Sequence, residues 1–238
     1  MEIVLIRHGQ PAWIVEDEYR RNPGLTELGK VQSQKSASVF LENSIDELWV
    51  SPLNRAQETH TPFKEKNIAK NIITYDWLQE MEDPEEVALY GKSNDEIMAF
   101  FEKRNSQSFE EWSKGSHGQY MENFKNKIIP NLDSELKSKG IISIDDTYDR
   151  MFDLSSSNLE KIMIISHAGT MSVLLSYFLN MPLYPWTWRK FLPRHTGHTT
   201  LKSSKISGGY FFRLKEFNNV SFTDLSLIHI SEPTRHDQ

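Results

Sequence analysis

Short runs of β-prone apolar residues alternate along this chain with stretches of helical periodicity, and this alternation restricts the possible folds most strongly. The strand-like runs lie at Glu2–Ile6, Glu47–Val50, Ile72–Tyr75 and Lys161–Ser166. Helical patterns cover residues 26–43, 51–67 and 167–181. Because strands alternating with helices pack as a layered sheet, the sequence predicts an α/β fold. We expect a three-layer sandwich around a mostly parallel central sheet.

Two of the helical patterns carry clear starting signals. Thr26 is expected to cap the first helix, and Ser51 to cap the second, with Pro52 at its first helical position. The positions expected to face the core in the first helix are Leu28, Val31, Val39 and Phe40.

Residues 83–149 interrupt the alternation. They are rich in Glu, Lys, Ser and aromatic residues, with helical stretches near Asn94–Lys103 and Tyr120–Lys139 and no strong strand pattern. We interpret them as a helical insertion over the carboxyl edge of the strands. Thr199–Ser203 and Gly209–Phe217 then predict an edge hairpin.

The organisation predicted is a single domain over residues 1–224, with an atypical tail at 225–238. The tail sequence, LSLIHISEPTRHDQ, fits poorly with what precedes it. It is compatible with an edge strand and also with translated cloning or adapter sequence. We exclude it from the functional argument.

Composition excludes several classes of function. The 238 residues include no cysteine, which excludes disulfides, thiolate metal sites and cysteine nucleophiles. No apolar stretch approaches the roughly 20 residues that span a bilayer, and no leader pattern precedes the first strand. A net charge of −6 argues against a broad nucleic-acid surface. The sequence predicts a cytoplasmic enzyme without a membrane partner, and its oligomeric state stays open.

The ends of the strand-like runs collect the polar residues that suggest chemistry. Arg7, His8 and Gly9 follow the first run, and Arg55 lies one helical turn beyond the second. A cluster of acids between Asp76 and Asp83 follows the third run, and His167 follows the fourth. Because ligands bind at the carboxyl edge of open α/β sheets, we expect two histidines and two arginines to face one another there.

This set of side chains suits a phosphoryl group. Guanidinium groups offer a fork of donors that matches phosphate oxygens, and the start of a helix adds backbone N–H groups. An imidazole with one nitrogen held by a carbonyl presents the other as a nucleophile, while a nearby carboxylic acid can protonate the leaving oxygen. No histidine spacing typical of a metal site is present, so we expect no metal and no cofactor.

Five motifs, LIRHG, GLTELGKVQ, SPLNRAQET, LQE and IISHAGTM, resemble in order and spacing the histidine phosphatase superfamily, which has the phosphoglycerate-mutase-like fold. The resemblance covers residues 2–201, apart from the insertion. It implies that His8 is the phosphorylated nucleophile, with Arg7, Arg55 and His167 forming the phosphate pocket.

The same resemblance implies roles for further residues. Glu80, in a leucine-x-glutamate context, would be the general acid, with Glu82 as the alternative. The groups expected to contact substrate are Gly9, Gln10, Ala168, Gly169, Thr170 and His195. His198, Arg189 and Arg194 are further candidates, and for these three and His195 a surface position is equally compatible with the sequence.

Three functions remain in competition. The leading one is a metal-independent phosphomonoesterase that acts on a small-molecule or peptide phosphate through a phosphohistidine on His8. The second is a phosphotransferase of the mutase kind, which Pro11 and Ile14 disfavour because many members carry threonine and asparagine there. The third is a protein that binds phospho-ligands without turnover, which the complete set of Arg7, His8, Arg55, His167 and Glu80 disfavours.

Overall fold

The computed structural model of the chain describes residues 1–12, 22–145, 149–183, 190–206 and 208–222. Eight strands and seven α-helices occur within these ranges. The strands are β1 (Glu2–Arg7), β2 (Ile45–Val50), β3 (Ala69–Thr74), β4 (Ile142–Asp145), β5 (Arg150–Asp153), β6 (Lys161–Ser166), β7 (His198–Ile206) and β8 (Gly209–Asn219). The helices are α1 (Glu27–Ser38), α2 (Asn54–Glu65), α3 (Pro84–Val87), α4 (Asn94–Asn105), α5 (Phe109–Lys114), α6 (Ser116–Ser138) and α7 (Ala168–Phe178).

The eight strands form one mixed sheet in the order β3-β2-β6-β1-β7-β8-β5-β4. The pairs β2–β3, β2–β6 and β1–β6 are parallel, whereas β1–β7, β7–β8, β5–β8 and β4–β5 are antiparallel. The predicted α/β class is correct, but the prediction of a mostly parallel sheet is wrong. Two strands joined by only a few residues can pair only antiparallel, and few residues separate β4 from β5 and β7 from β8.

The predicted late hairpin is present as β7 and β8, but it does not form the edge of the sheet. Phe152 of β5 pairs with Tyr210 of β8, and β4 lies beyond β5. β4 belongs to the insertion, where the sequence predicted no strand. Its four residues include the partly exposed Ile142 and Ile144, and so short a segment gives no strong apolar pattern.

Alternate residues of β1 enter two separate apolar clusters. Ile3 and Leu5 pack with residues of α6 and α7, whereas Val4 and Ile6 pack with residues of α1 and α2. This is the alternation that the pleat of a strand imposes. Helices therefore cover both faces of the sheet around β1, and the strand is buried on both sides.

The buried face of α1 differs from the prediction. Gly29, Ser33, Ser36 and Ala37 are buried, whereas Val31 and Val39 are 38% and 49% exposed. The helix packs too closely for large side chains, because a Cβ added at Gly29 would lie 2.3 Å from the carbonyl oxygen of Gln10. The expected cap is present, since the Thr26 side chain accepts a hydrogen bond from the Gly29 N–H.

The start of α2 also differs. Ser51 was expected to cap this helix, but its backbone continues beyond β2 and its N–H donates to the Ile165 carbonyl over 3.0 Å. The helix begins at Asn54. Ser51 is therefore a strand-end residue, and its side chain is available for another contact.

The insertion lies partly on the face of the sheet and not only over its edge. Phe124, Ile128 and Leu132 of α6 belong to the same apolar cluster as Ile3 of β1. No helix within the described ranges is both long and apolar enough to cross a membrane. The tail at 225–238 lies outside the described residues.

Candidate active site

Three neighbouring parallel strands end at the same edge and place three polar residues side by side. Arg7 of β1 pairs with Ser166 of β6, and the His8 N–H donates to the Ser166 carbonyl over 2.9 Å. The Ser51 N–H donates to the Ile165 carbonyl in the same way. The residues that follow β1, β6 and β2 are therefore His8, His167 and Ser51. This proximity is the one that the sequence predicted for the two histidines.

His8 is buried, and its hydrogen bonds fix its tautomer. Its Nδ1 lies 2.7 Å from the Gly9 carbonyl oxygen, which only accepts, so Nδ1 carries the hydrogen. Arg55 Nε donates to His8 Nε2 over 3.2 Å. Nε2 therefore presents a lone pair, which is the form that a nucleophilic imidazole requires.

The surroundings of His8 disfavour a positive charge on its ring. Burial lowers the pKa of His8 well below its ordinary value of 6.5, and the charges of Arg55 and Arg7 lower it further, as do His167 and His195. Arg55 is a buried residue in the first turn of α2. Arg7 donates through a guanidinium nitrogen to the Pro193 carbonyl over 2.7 Å. These arginines concentrate positive charge beside a neutral ring.

His167 occupies the N-cap position of α7 and is fully buried. Its ring centroid lies 5.1 Å from that of His8, and its Nε2 lies 2.7 Å from Ser51 Oγ. Burial lowers the pKa of His167 well below 6.5, and the charges of Arg55 and Arg7 add to this. The second histidine is thus also a neutral ring close to two guanidinium groups.

The structure separates the two candidate acids. Glu80 Oε2 accepts a hydrogen bond from the Gly169 N–H at the start of α7 over 3.1 Å, and Thr170 Oγ1 donates to the neighbouring Gln79 carbonyl over 2.9 Å. These contacts tie the Glu80 segment to the helix that His167 caps. Glu82 is exposed. Of the two acids, Glu80 is therefore the one held at the start of α7.

Besides the bond between the Gly9 carbonyl and His8, Gly9 and Gln10 bind to the supporting helices. The Gly9 N–H donates to Thr59 Oγ1 of α2 over 2.9 Å, and the Gln10 side-chain oxygen accepts from Thr26 Oγ1 over 2.9 Å. A Cβ added at Gly9 would lie 2.6 Å from the Gly29 carbonyl oxygen. Both residues thus anchor the loop that carries His8. Ala168 is the first residue of α7.

His195 and His198 are only three residues apart but lie in different places. The His195 ring centroid is 5.7 Å from that of His8, and the adjacent Thr196 N–H donates to the Arg7 carbonyl over 2.9 Å. His198 Nε2 instead lies 2.7 Å from Ser36 Oγ of α1, and its ring packs against Phe40 and Phe222. His195 is therefore a neighbour of the candidate nucleophile, and His198 packs under α1.

The remaining candidates give less information. Arg194 is exposed, and its backbone N–H donates to Asn218. Arg189 and Ile14 lie outside the described residues.

Sequence reasoning missed two hydroxyl groups at this site. Ser51 was assigned to a helix cap, although its hydroxyl contacts His167. Thr59 lies four residues after Arg55 and therefore on the same face of α2, and its hydroxyl joins the Gly9 N–H to the Arg55 carbonyl. The helical spacing within SPLNRAQET contained the signal for Thr59.

A second titratable cluster lies in the insertion. The possible ligand atoms of Asp83, Glu86 and His117 lie within 4.8 Å of one another, a grouping that we did not predict. Arg104 donates to Asp83 and to Glu86, each over 2.9 Å, and His117 Nδ1 lies 2.8 Å from Asp83. The Arg104 guanidinium already pairs with both carboxylates, as expected for a structural ion-pair network.

Comparison with protein-family models gives one match. The family model for the histidine phosphatase superfamily (branch 1) matches residues 3–219. A search of curated proteins gave no match.

Several solved structures share the fold. The α-ribazole phosphatase of Shigella flexneri is 20% identical with a TM-score of 0.62, and the match covers 92% of this chain and 96% of that one. The phosphoserine phosphatase of Entamoeba histolytica, solved with 3-phosphoglyceric acid, is 19% identical with a TM-score of 0.64, covering 93% and 98%. A mycobacterial glucosyl-3-phosphoglycerate phosphatase, in complex with VO3, is 18% identical with a TM-score of 0.64, covering 91% and 98%.

Proposed function

This chain belongs to the histidine phosphatase superfamily, and from that membership we propose that it is a metal-independent phosphomonoesterase acting on small-molecule or peptide phosphates. The superfamily and its structural neighbours support phosphatase or phosphotransferase chemistry. The observation that carries the proposal is the His8 ring. Its Nδ1–H is bound to the Gly9 carbonyl, and its Nε2 lone pair lies beside the Arg55 guanidinium.

The first step transfers the phosphoryl group to the enzyme. Arg7, Arg55 and His167 bind the non-bridging oxygens and stabilise the charge that develops on them. His8 Nε2 attacks phosphorus, so that an N–P bond forms while the bond to the leaving oxygen breaks. Glu80, in its protonated form, gives its proton to that oxygen. The products of this step are a free alcohol and a phosphohistidine.

The second step returns the enzyme to its starting state. The Glu80 carboxylate accepts a proton from a water molecule as the water oxygen attacks the phosphohistidine. The N–P bond breaks, inorganic phosphate leaves, and Nε2 of His8 regains its lone pair. Because Glu80 ends the cycle protonated, it is ready for the next substrate.

The proposal is tested by phosphate release from a panel of phosphorylated metabolites, nucleotides and phosphopeptides. We expect phosphate release from at least one class, a phosphohistidine trapped on quenching, and loss of both in His8→Ala. His60→Ala, in α2, is the matched control and should retain activity. Full activity after dialysis against EDTA is also expected.

Two results would contradict the proposal. Near-normal rates in His8→Ala would require a different nucleophile. Loss of activity in EDTA that a divalent ion restores would require a metal. Transfer of phosphate to a second hydroxyl without release of inorganic phosphate would instead identify the mutase-type phosphotransferase.

A further inference from the structure

In the hydrogen bond between Ser51 and His167, either residue could supply the hydrogen. Both residues are fully buried, and Ser51 Oγ lies 2.7 Å from His167 Nε2. A neutral imidazole carries one N–H, so one ring nitrogen donates and the other accepts. The distance alone is the same whether the serine or the histidine supplies the hydrogen.

The contacts of the Ser51 hydroxyl answer this question. Its other recorded partner is the Leu53 N–H at 3.4 Å, which can only donate. Among the described residues, His167 Nε2 is therefore the one acceptor available to the hydroxyl hydrogen. If Nε2 carried the hydrogen, both the hydroxyl hydrogen of Ser51 and the Nδ1 lone pair would be buried without a partner among the described residues, whereas the other tautomer leaves only the Nδ1–H unpaired. Ser51 therefore donates, Nε2 accepts, and the ring hydrogen of His167 lies on Nδ1.

On the other side of the His167 ring, the Nδ1–H can then donate a hydrogen bond. His167 Nδ1 is buried and has no hydrogen-bond partner within the described part of the chain. The centroid of the His167 ring lies 5.1 Å from the centroid of the His8 ring. The pKa of His167 lies well below 6.5 because of burial and then the charges of Arg55 and Arg7. A neutral ring has a single hydrogen, so its position decides whether the ring donates toward the site.

We propose that Ser51 is a positioning residue that holds His167 in the Nδ1–H tautomer, so that the ring donates a hydrogen bond to an oxygen of the phosphoryl group beside His8. The part of this proposal that names a phosphoryl oxygen as the acceptor rests on the proposed function. The tautomer itself does not, because it is a property of the free protein. The two parts can therefore be tested separately.

The tautomer is measured by long-range ¹H–¹⁵N NMR of the histidine rings at neutral pH, with His167→Gln used to assign the signals. We expect a protonated Nδ1 and an unprotonated Nε2 in the wild-type protein. In Ser51→Ala this preference should be lost, and part of the population should carry the hydrogen on Nε2. Ser176→Ala is the matched control, because this buried hydroxyl of α7 has no hydrogen-bond partner among the described residues. It should leave the His167 signals unchanged.

A protonated Nε2 in the wild-type protein, or an unchanged His167 tautomer in Ser51→Ala, would overturn the inference. The wild-type spectrum decides even where Ser51→Ala does not fold. Phosphate release should fall by about 10- to 100-fold in Ser51→Ala, the usual range for loss of an outer orienting partner, and by less than about twofold in Ser176→Ala. An equal rate in Ser51→Ala and wild type would remove the catalytic part of the proposal. Failure to release phosphate from any ester would count against the proposed function and leave the tautomer result standing.

Discussion

Burial is the main cause that lowers the pKa of His8, His167 and His198, and arginine charges add to it only at the first two. The pKa of His8 is lowered by burial and by several neighbouring positive groups. For His198, under α1, burial alone lowers the pKa from its ordinary 6.5 to about 4. Burial therefore keeps the proposed nucleophile His8 neutral, and at His198 it lowers the stability of the folded protein in acid.

The His198 shift predicts a pH-dependent contribution to stability. Between pH 6.5 and 4 the unfolded chain binds a proton at this residue and the folded chain does not, so the free energy of unfolding falls as the pH is lowered. The shift corresponds to about 3 kcal/mol lost by pH 4. Urea unfolding of wild type and His198→Gln across this range measures it. The stability advantage of wild type should shrink as pH falls, and two parallel stability curves would contradict this account.

The contacts of Glu80 predict a dependence on the leaving group. A general acid matters most when the leaving oxygen is basic. Glu80→Gln should therefore slow hydrolysis of an alkyl phosphate severely and of an aryl phosphate much less. Because Glu80 would also activate water, phosphohistidine should accumulate in this variant. Steady-state rates on both substrates, with quenching of the intermediate, provide the measurement.

Glu82→Gln is the control for this experiment, since Glu82 is exposed whereas Glu80 is bound to the Gly169 N–H. It should behave nearly as wild type on both substrates. A sensitive Glu82 with a tolerant Glu80 would move the acid two residues along the chain. Sequence alone could not separate the two, because residues two apart in an extended segment share a side.

At the scale of secondary-structure elements, an ion-pair network around the buried Arg104 joins three helices of the insertion. Arg104 of α4 contacts Asp83, which caps α3, and Glu86 within α3, while His117 of α6 contacts the same Asp83. Burial alone would raise the pKa of Asp83, but the hydrogen bonds from His117 and the Glu85 N–H and the charge of Arg104 hold it below its usual value. Three helices therefore share one ion-pair network.

Arg104→Met should remove the network while keeping most of the side-chain length. Loss of one partner from a buried pair leaves uncompensated charge, so the free energy of unfolding should fall by about 3 kcal/mol. Amide exchange should accelerate mainly in α3–α6. Lys114→Ala is the matched control, because its pair with Glu110 is exposed, and its cost should stay below about 1 kcal/mol. Equal effects of the two substitutions would show that the network adds nothing to stability.

The elements that the sequence predicted well are those with strong local signals. β1 and β6 each contain a continuous apolar run, and each is followed directly by a histidine. The start of α2 was misplaced because serine followed by proline is typical both of a helix start and of a strand end. The buried face of α1 was missed because close packing selects Gly29 and Ala37, which have little hydrophobic signal.

At the scale of the whole molecule, the sequence could not show which distant strands become neighbours. His195 lies near His8 because β7 pairs antiparallel with β1, and nothing local to either segment indicates that pairing. The antiparallel half of the sheet depends on similar long-range contacts, such as Phe152 with Tyr210. The proximity of His8, His167 and Arg55 was predictable because all three follow strand ends, and their roles remain proposals.

The extent of the domain predicts the result of a deletion. The last strand within the described residues ends at Asn219, and the match to the family model ends at residue 219. The ring of His198 also contacts Phe222. A chain that ends at residue 224 should therefore keep both the melting temperature and the rate of phosphate release of the 238-residue chain. A drop in either would show that the tail belongs to the domain.

The position of β1 in the sheet has a consequence for biosynthesis. β1 comes long before its two neighbours in the chain, since these begin only at Lys161 and His198. Because synthesis proceeds from the N-terminus, Ile3 and Leu5 leave the ribosome long before their partners exist. These apolar side chains therefore stay without their partner strands while more than 150 further residues are made. A chain cut off before Lys161 would lack both strands that pair with β1 and would also lack His167, so we expect it to leave Ile3 and Leu5 exposed.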